Sequence, residues 1–96
     1  MNEIEKILNK AILRGDISFS TPADAIDLIK ACKKIEKWIL GIDAFILTDK
    51  TTQPVMEDSI DYSMFNNYKS PQNWDEAIEF IEQKRGQDYY FEVVFE

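Results

Sequence analysis

The sequence predicts an α+β domain, a small antiparallel sheet of two or three strands with three helices packed mainly on one face. Three observations lead there. Up to about Trp38 the apolar residues recur every three or four positions, the period of a helix. After Trp38, and again at the chain end, they recur at every second position or run continuously, as in strands. Helix-starting and helix-stopping residues fall at the borders of the periodic stretches. The 96 residues, 45% apolar and 12% aromatic, suffice for one core, so residues 1–96 are expected to form a single domain.

The first helix is expected from Ile4, Ile7, Leu8, Ala11 and Ile12, with Gly15 as its stop after Arg14. A second begins at Thr21-Pro22-Ala23-Asp24. Thr21 can cap free N–H groups, Pro22 suits the first helical position, and Asp24 complements the dipole. Its apolar stripe is Ala25, Leu28, Ile29, Cys32 and Ile35. Lys30, Lys33, Lys34 and Lys37 gather at its C-terminal end, where cations are favoured, and read as solvated surface.

Residues 41–48 read as a strand with both faces apolar, hence an internal one. Asp49 to Thr52 is a polar turn, and Gln53 to Ser63 has weaker strand character. Pro54 places that segment at a sheet edge or begins the strand after it. Residues 64–72 form an aromatic loop with Phe65 and Tyr68, and Asn73 caps a third helix from Trp74 to Arg85, closed by Gly86. Its stripe is Trp74, Ala77, Ile78 and Ile81, and Trp38 and Trp74 read as core anchors on helix stripes. Residues 89–95 alternate as a final strand.

Charge is distributed unevenly. Residues 1–40 carry seven basic and six acidic side chains, whereas residues 41–96 carry four basic and twelve acidic ones. The second part therefore has a charge of −8 in a chain of net −7. Such a potential attracts cationic surfaces and repels nucleic acid and anionic lipid. No histidine is present, which removes the commonest general base, and no glycine-rich phosphate loop occurs. The single cysteine, Cys32, permits no intramolecular disulfide or thiolate zinc site and reads as a small core residue. No apolar run reaches the roughly 20 residues of a membrane span, and the N-terminus lacks a signal-peptide apolar segment. A soluble cytoplasmic protein that binds rather than catalyses is expected, with no cofactor and no metal.

Glu57, Asp58 and Asp61 form the densest acidic cluster outside a helix, beside Tyr62 and, farther on, Tyr68. Close carboxylates raise one another's pKa unless a cation relieves them. A divalent-metal site, paired-carboxylate acid–base chemistry, a docking surface for Lys and Arg, and plain solvated loop are the available readings. The spacing matches no calcium loop and no cleft architecture is evident, which favours docking. In that reading Glu57, Asp58 and Asp61 meet basic side chains, and Tyr62 or Tyr68 fills a pocket.

Ile39-Leu40-Gly41-Ile42-Asp43-Ala44-Phe45-Ile46-Leu47, then Thr52-Gln53-Pro54 and Met56-Glu57-Asp58-Ser59-Ile60-Asp61-Tyr62-Ser63, carry a resemblance. Asn73-Trp74-Asp75-Glu76-Ala77-Ile78-Glu79-Phe80-Ile81 and Tyr90-Phe91-Glu92-Val93-Val94 add to it. Over residues 21–96 the chain resembles small bacterial immunity proteins that protect cells from polymorphic toxins, including contact-dependent growth-inhibition toxins. Where that group often reads Met-Glu-His-Ser, this chain has Asp58 in place of histidine. The resemblance implies a cytosolic, monomeric inhibitor of one cognate toxin domain with a basic surface. Such toxins are often nucleases, and the inhibitor itself would bind neither nucleic acid nor membrane. A DNA-mimicking inhibitor shares the acidity but not the cationic first half. A metal-dependent hydrolase using the 57–61 carboxylates is the enzymatic alternative.

Overall fold

The computed structural model describes residues 2–64 and 68–96, so Phe65 lies outside the described residues. In order it contains α1 (Glu3–Asn9), β1 (Ile12–Arg14), β2 (Ile17–Phe19), α2 (Pro22–Lys34), β3 (Ile39–Leu47) and β4 (Thr52–Asp61). A 3-10 turn (Tyr62–Met64), α3 (Gln72–Gln83) and β5 (Tyr90–Phe95) complete it. The fold is α+β: a three-stranded antiparallel sheet of order β4-β3-β5, a β1-β2 hairpin, and three helices.

The first helix is shorter than its spacing predicts. Asn2 caps it, its Oδ1 accepting the Glu5 N–H at 2.8 Å, and it ends at Asn9. Ile12 to Arg14 instead pairs antiparallel with Ile17 to Phe19. Gly15, at φ +62°, sits at the first central position of the two-residue turn, where a hairpin needs a positive φ. The same conformational freedom that could end a helix here reverses a strand. Ile12 satisfies both periods, and Leu13, 68% exposed, follows the strand alternation.

The second helix forms where its start signal places it. Thr21 Oγ1 accepts the Asp24 N–H at 3.3 Å and Pro22 occupies the first turn. Its buried face, Ala25, Ile26, Leu28, Ile29, Ala31 and Cys32, is the centre of the core and contacts α1, α3 and β5. Burying each large aliphatic side chain contributes roughly 1.5–3 kcal/mol. The helix stops at Lys34, so Ile35 leaves the apolar stripe and is exposed, and Trp38 lies in the connection to β3 instead of on a helix. Trp38 exchanges backbone hydrogen bonds with Glu96 at 3.0 Å each, and its ring stacks on Trp74 at 4.6 Å. Lys33 and Lys34 are exposed, as expected, and also reach Asp75 of α3 (3.0 Å) and Glu3 of α1 (3.4 Å).

β3 is the central strand and β4, which carries Pro54, an edge strand, as the residue pattern requires. Ile39, Ile42 and Ala44 face the helices and are buried. Gly41 lets β4 approach closely, since a Cβ there would meet the Ile60 carbonyl oxygen at 3.0 Å. The ladder breaks between Asp43, paired with Ser59, and Ala44, paired with Val55, so Met56, Glu57 and Asp58 bulge out of register. α3 begins at Gln72, and Pro71 at its N-cap makes no side-chain hydrogen bond. Asn73 is therefore not the cap; its side-chain amide donates to the Tyr68 carbonyl at 2.8 Å. Among the described residues no helix is long and apolar enough to cross a membrane.

Candidate partner-binding surface

The five residues singled out from the sequence do not form one patch. Glu57 is exposed on the β4 bulge beside Met56, which is 79% exposed. Asp58 turns inward from the same bulge, with its carboxylate 2.8 Å from Lys84 Nζ. Hydrogen bonds from Lys84 and Tyr89 hold its carboxyl below the usual range, and the Asp58 bonds raise the pKa of both partners. Asp58 thus ties β4 to the end of α3. Asp61 is exposed and accepts hydrogen bonds from the Ser63 N–H (3.0 Å) and Oγ (2.5 Å), fixing the 3-10 turn.

Both tyrosines have internal tasks. Tyr62 belongs to the core and its hydroxyl points toward the Asn73 carbonyl. Burial, with Glu76 nearby, pushes its pKa up to about 12. It is no surface anchor, because an apolar ring next to a strand end gains more by joining the core than by lying in water. Tyr68 is half-buried and donates its hydroxyl to Glu96 Oε1, which raises its pKa.

A second group of carboxylates gathers on the sheet face that the helices leave uncovered. Asp43 on β3 lies directly across from Glu92 on β5, and Asp61 on β4 lies across from Gly41. Asp43 is half-buried, and its carboxyl is pushed up first by burial and then by Asp61. Glu92 is half-buried and pushed up by burial and then by Asp43. Directly opposed like charges cost a sheet roughly 0.2–1 kcal/mol. Among the described residues no ion pair reaches Asp43, Asp61 or Glu92 to offset this. A shallow cavity of about 260 Å³ opens beside Asp43 and Asp61, lined also by Gly41, Ser63 and Val94, and Glu92 stands outside it.

Asp43 and Glu92 were readable as anomalies, a lone acid in Gly-Ile-Asp-Ala-Phe and another in Tyr-Phe-Glu-Val-Val. What no sequence pattern supplied was the register that sets one opposite the other. Among the described residues, no three carboxylate, thiol or imidazole groups converge closely enough to hold a metal ion. The arrangement suits recognition of Lys or Arg, because a cation entering the cavity would relieve repulsion that the folded chain otherwise carries.

Comparison of the chain with protein-family models finds no match, and comparison with curated proteins finds none either.

Proposed function

We propose that this chain is a stoichiometric protein inhibitor of the immunity type, which binds a cationic bacterial toxin domain, a nuclease, in the cytoplasm and neutralises it. The observation that supports this reading best is the sheet face on which Asp43, Asp61 and Glu92 sit together with no ion pair among the described residues. A surface that costs the folded state stability on its own, and regains it against Lys or Arg, suits a protein whose working state is a complex. The excess of acid over residues 41–96 adds long-range steering toward a basic phosphate-binding groove. Occlusion of that groove by the acidic face is the mechanism. Asp58 stays engaged with Lys84 and contributes to shape, not to contact.

Binding calorimetry against any toxin domain encoded immediately upstream, at low and moderate salt, tests this. One-to-one binding that weakens with salt is expected. Reversing Asp43 and Asp61 to lysine should weaken it about tenfold or more and flatten the salt dependence. Absence of binding at both salt concentrations would overturn the proposal for that pair. Unchanged affinity in the reversed variant would remove the sheet face as the interface.

A further inference from the structure

We infer that the outer edge of β5, at Val93 and Phe95, is a docking site for an extended, lysine- or arginine-bearing segment of a partner protein, which adds to the sheet as a further strand. This deepens the proposed function and rests on it for the identity of the partner. The edge itself follows from hydrogen bonding. Ser20 and Phe91 exchange both backbone bonds, each 2.8 Å, so the Phe91 N–H and C=O point away from β3. Strand direction alternates with period two, so the same groups of Val93 and Phe95 point the same way. Glu92 and Val94 face β3 instead, paired with Asp43 and Gly41.

β2 would be the natural neighbour of Val93 and Phe95, yet it leaves β5 after the Ser20 bridge. Two contacts hold the hairpin elsewhere. The Phe19 ring meets Phe45 edge-on at 4.8 Å, on the face away from the helices. The Arg14 guanidinium donates to the Thr51 carbonyl (2.7 Å) and the Thr48 carbonyl in the β3-β4 turn and to Thr52 Oγ1 (2.9 Å) at the start of β4. A slot of about 260 Å³ remains between the strands. Ser18 and Ser20 line its hairpin side, and Leu8 and Leu28 line its helical side. An exposed strand edge is a template for pairing, and main-chain bonds there supply affinity without demanding one sequence.

Charge selects the occupant. Asp16 and Glu92 also line the slot, and among the described residues neither belongs to an ion pair. A second copy of a chain of net charge −7 would bring its own Asp16 and Glu92 against these. A guest strand alternating apolar and basic residues places apolar side chains toward Leu8 and Leu28 and basic ones toward the acids.

The test uses the full-length protein and a capped hexapeptide of alternating valine and lysine, read by residue-resolved amide hydrogen exchange. Saturating peptide should slow exchange at Val93 and Phe95 by about tenfold or more. The same peptide N-methylated at alternate positions, or with glutamate for lysine, should not. Val93→Pro removes one outward N–H without touching the β3 ladder and should abolish the effect. The proposal is overturned if the two amides do not slow, if the glutamate peptide acts equally, or if slowing appears with protein concentration alone, which would mean self-pairing. Should Val93→Pro fail to fold, the N-methylated peptide decides. A toxin domain that does not bind removes the immunity reading and leaves the edge; a toxin domain that binds beside an inert hexapeptide removes the edge alone.

Discussion

Replacing Asp43 with asparagine should make the isolated protein more stable. The side chain faces Glu92 across the β3-β5 ladder and has Asp61 as a further acidic neighbour. For two charges about 6 Å apart, Coulomb's law gives about 0.7–2.8 kcal/mol as the effective dielectric constant runs from about 80 down to 20. Both groups are half-open to water, which screens them, and opposed like charges in sheets cost roughly 0.2–1 kcal/mol. Asp43→Asn is therefore expected to gain about 0.5–1 kcal/mol at pH 7, or about 3–6 °C in Tm for a domain of this size. The pH dependence follows from the direction of the shifts. Both carboxyls are raised in the folded state, so the folded protein binds protons more tightly than the unfolded chain. The native protein is then spared the penalty below the unfolded-state carboxylate pKa and suffers it fully once pH has risen past the folded-state values. The gain from Asp43→Asn should accordingly vanish in acid and be complete at neutral pH. Urea denaturation followed by circular dichroism at several pH values measures it. Glu92→Gln should act in the same direction, and the double variant should gain less than the sum, because each change relieves the same repulsion. A destabilised Asp43→Asn protein, or a gain independent of pH, would refute the reasoning.

Three other outcomes are expected. Cys32 is fully buried and burial pushes its thiol from 9.0 up to about 11, so its thiolate fraction is about a hundredfold below that of a free thiol. Labelling by a disulfide reagent should follow the unfolding rate, and labelling at a free-thiol rate would contradict the burial. Trp74→Phe leaves the Lys37 carbonyl without its 2.9 Å indole donor and loosens the stack on Trp38; a loss of about 2–3 kcal/mol in urea denaturation is expected. Arg14→Ala removes three hydrogen bonds to the β3-β4 turn and the start of β4, so amides of residues 12–19 should exchange faster while those of β3 stay protected.

The sequence by itself determined the elements whose cause is local. Thr21 and Pro22 mark the start of α2 because a cap and a fixed φ act within one turn. Pro54 marks an edge because its missing N–H cannot serve a central ladder, which leaves the inner place to the apolar 41–48 segment paired with it. The same locality explains the misreadings. Residues 10–14 satisfy a helix period and a strand period together, and only pairing with Ile17–Phe19 across Gly15 decides between them. Asn73 could cap a helix or bond a loop carbonyl, and the position of Tyr68 chose the second.

For the candidate surface the division is sharper. The acid excess of residues 41–96 is plain from composition, and it pointed to a cationic partner. Which acids are spoken for is a tertiary matter. The β4 bulge turns Asp58 onto Lys84, and Tyr62 enters the core. The β3 register with both neighbours gathers Asp43 with Asp61 and Glu92, 18 and 49 positions further along the chain, onto one face. Local chemistry acts over a few residues and is written in their order. Strand register depends on the free energy of the whole packed sheet, so the meeting of those carboxylates belongs to the fold alone.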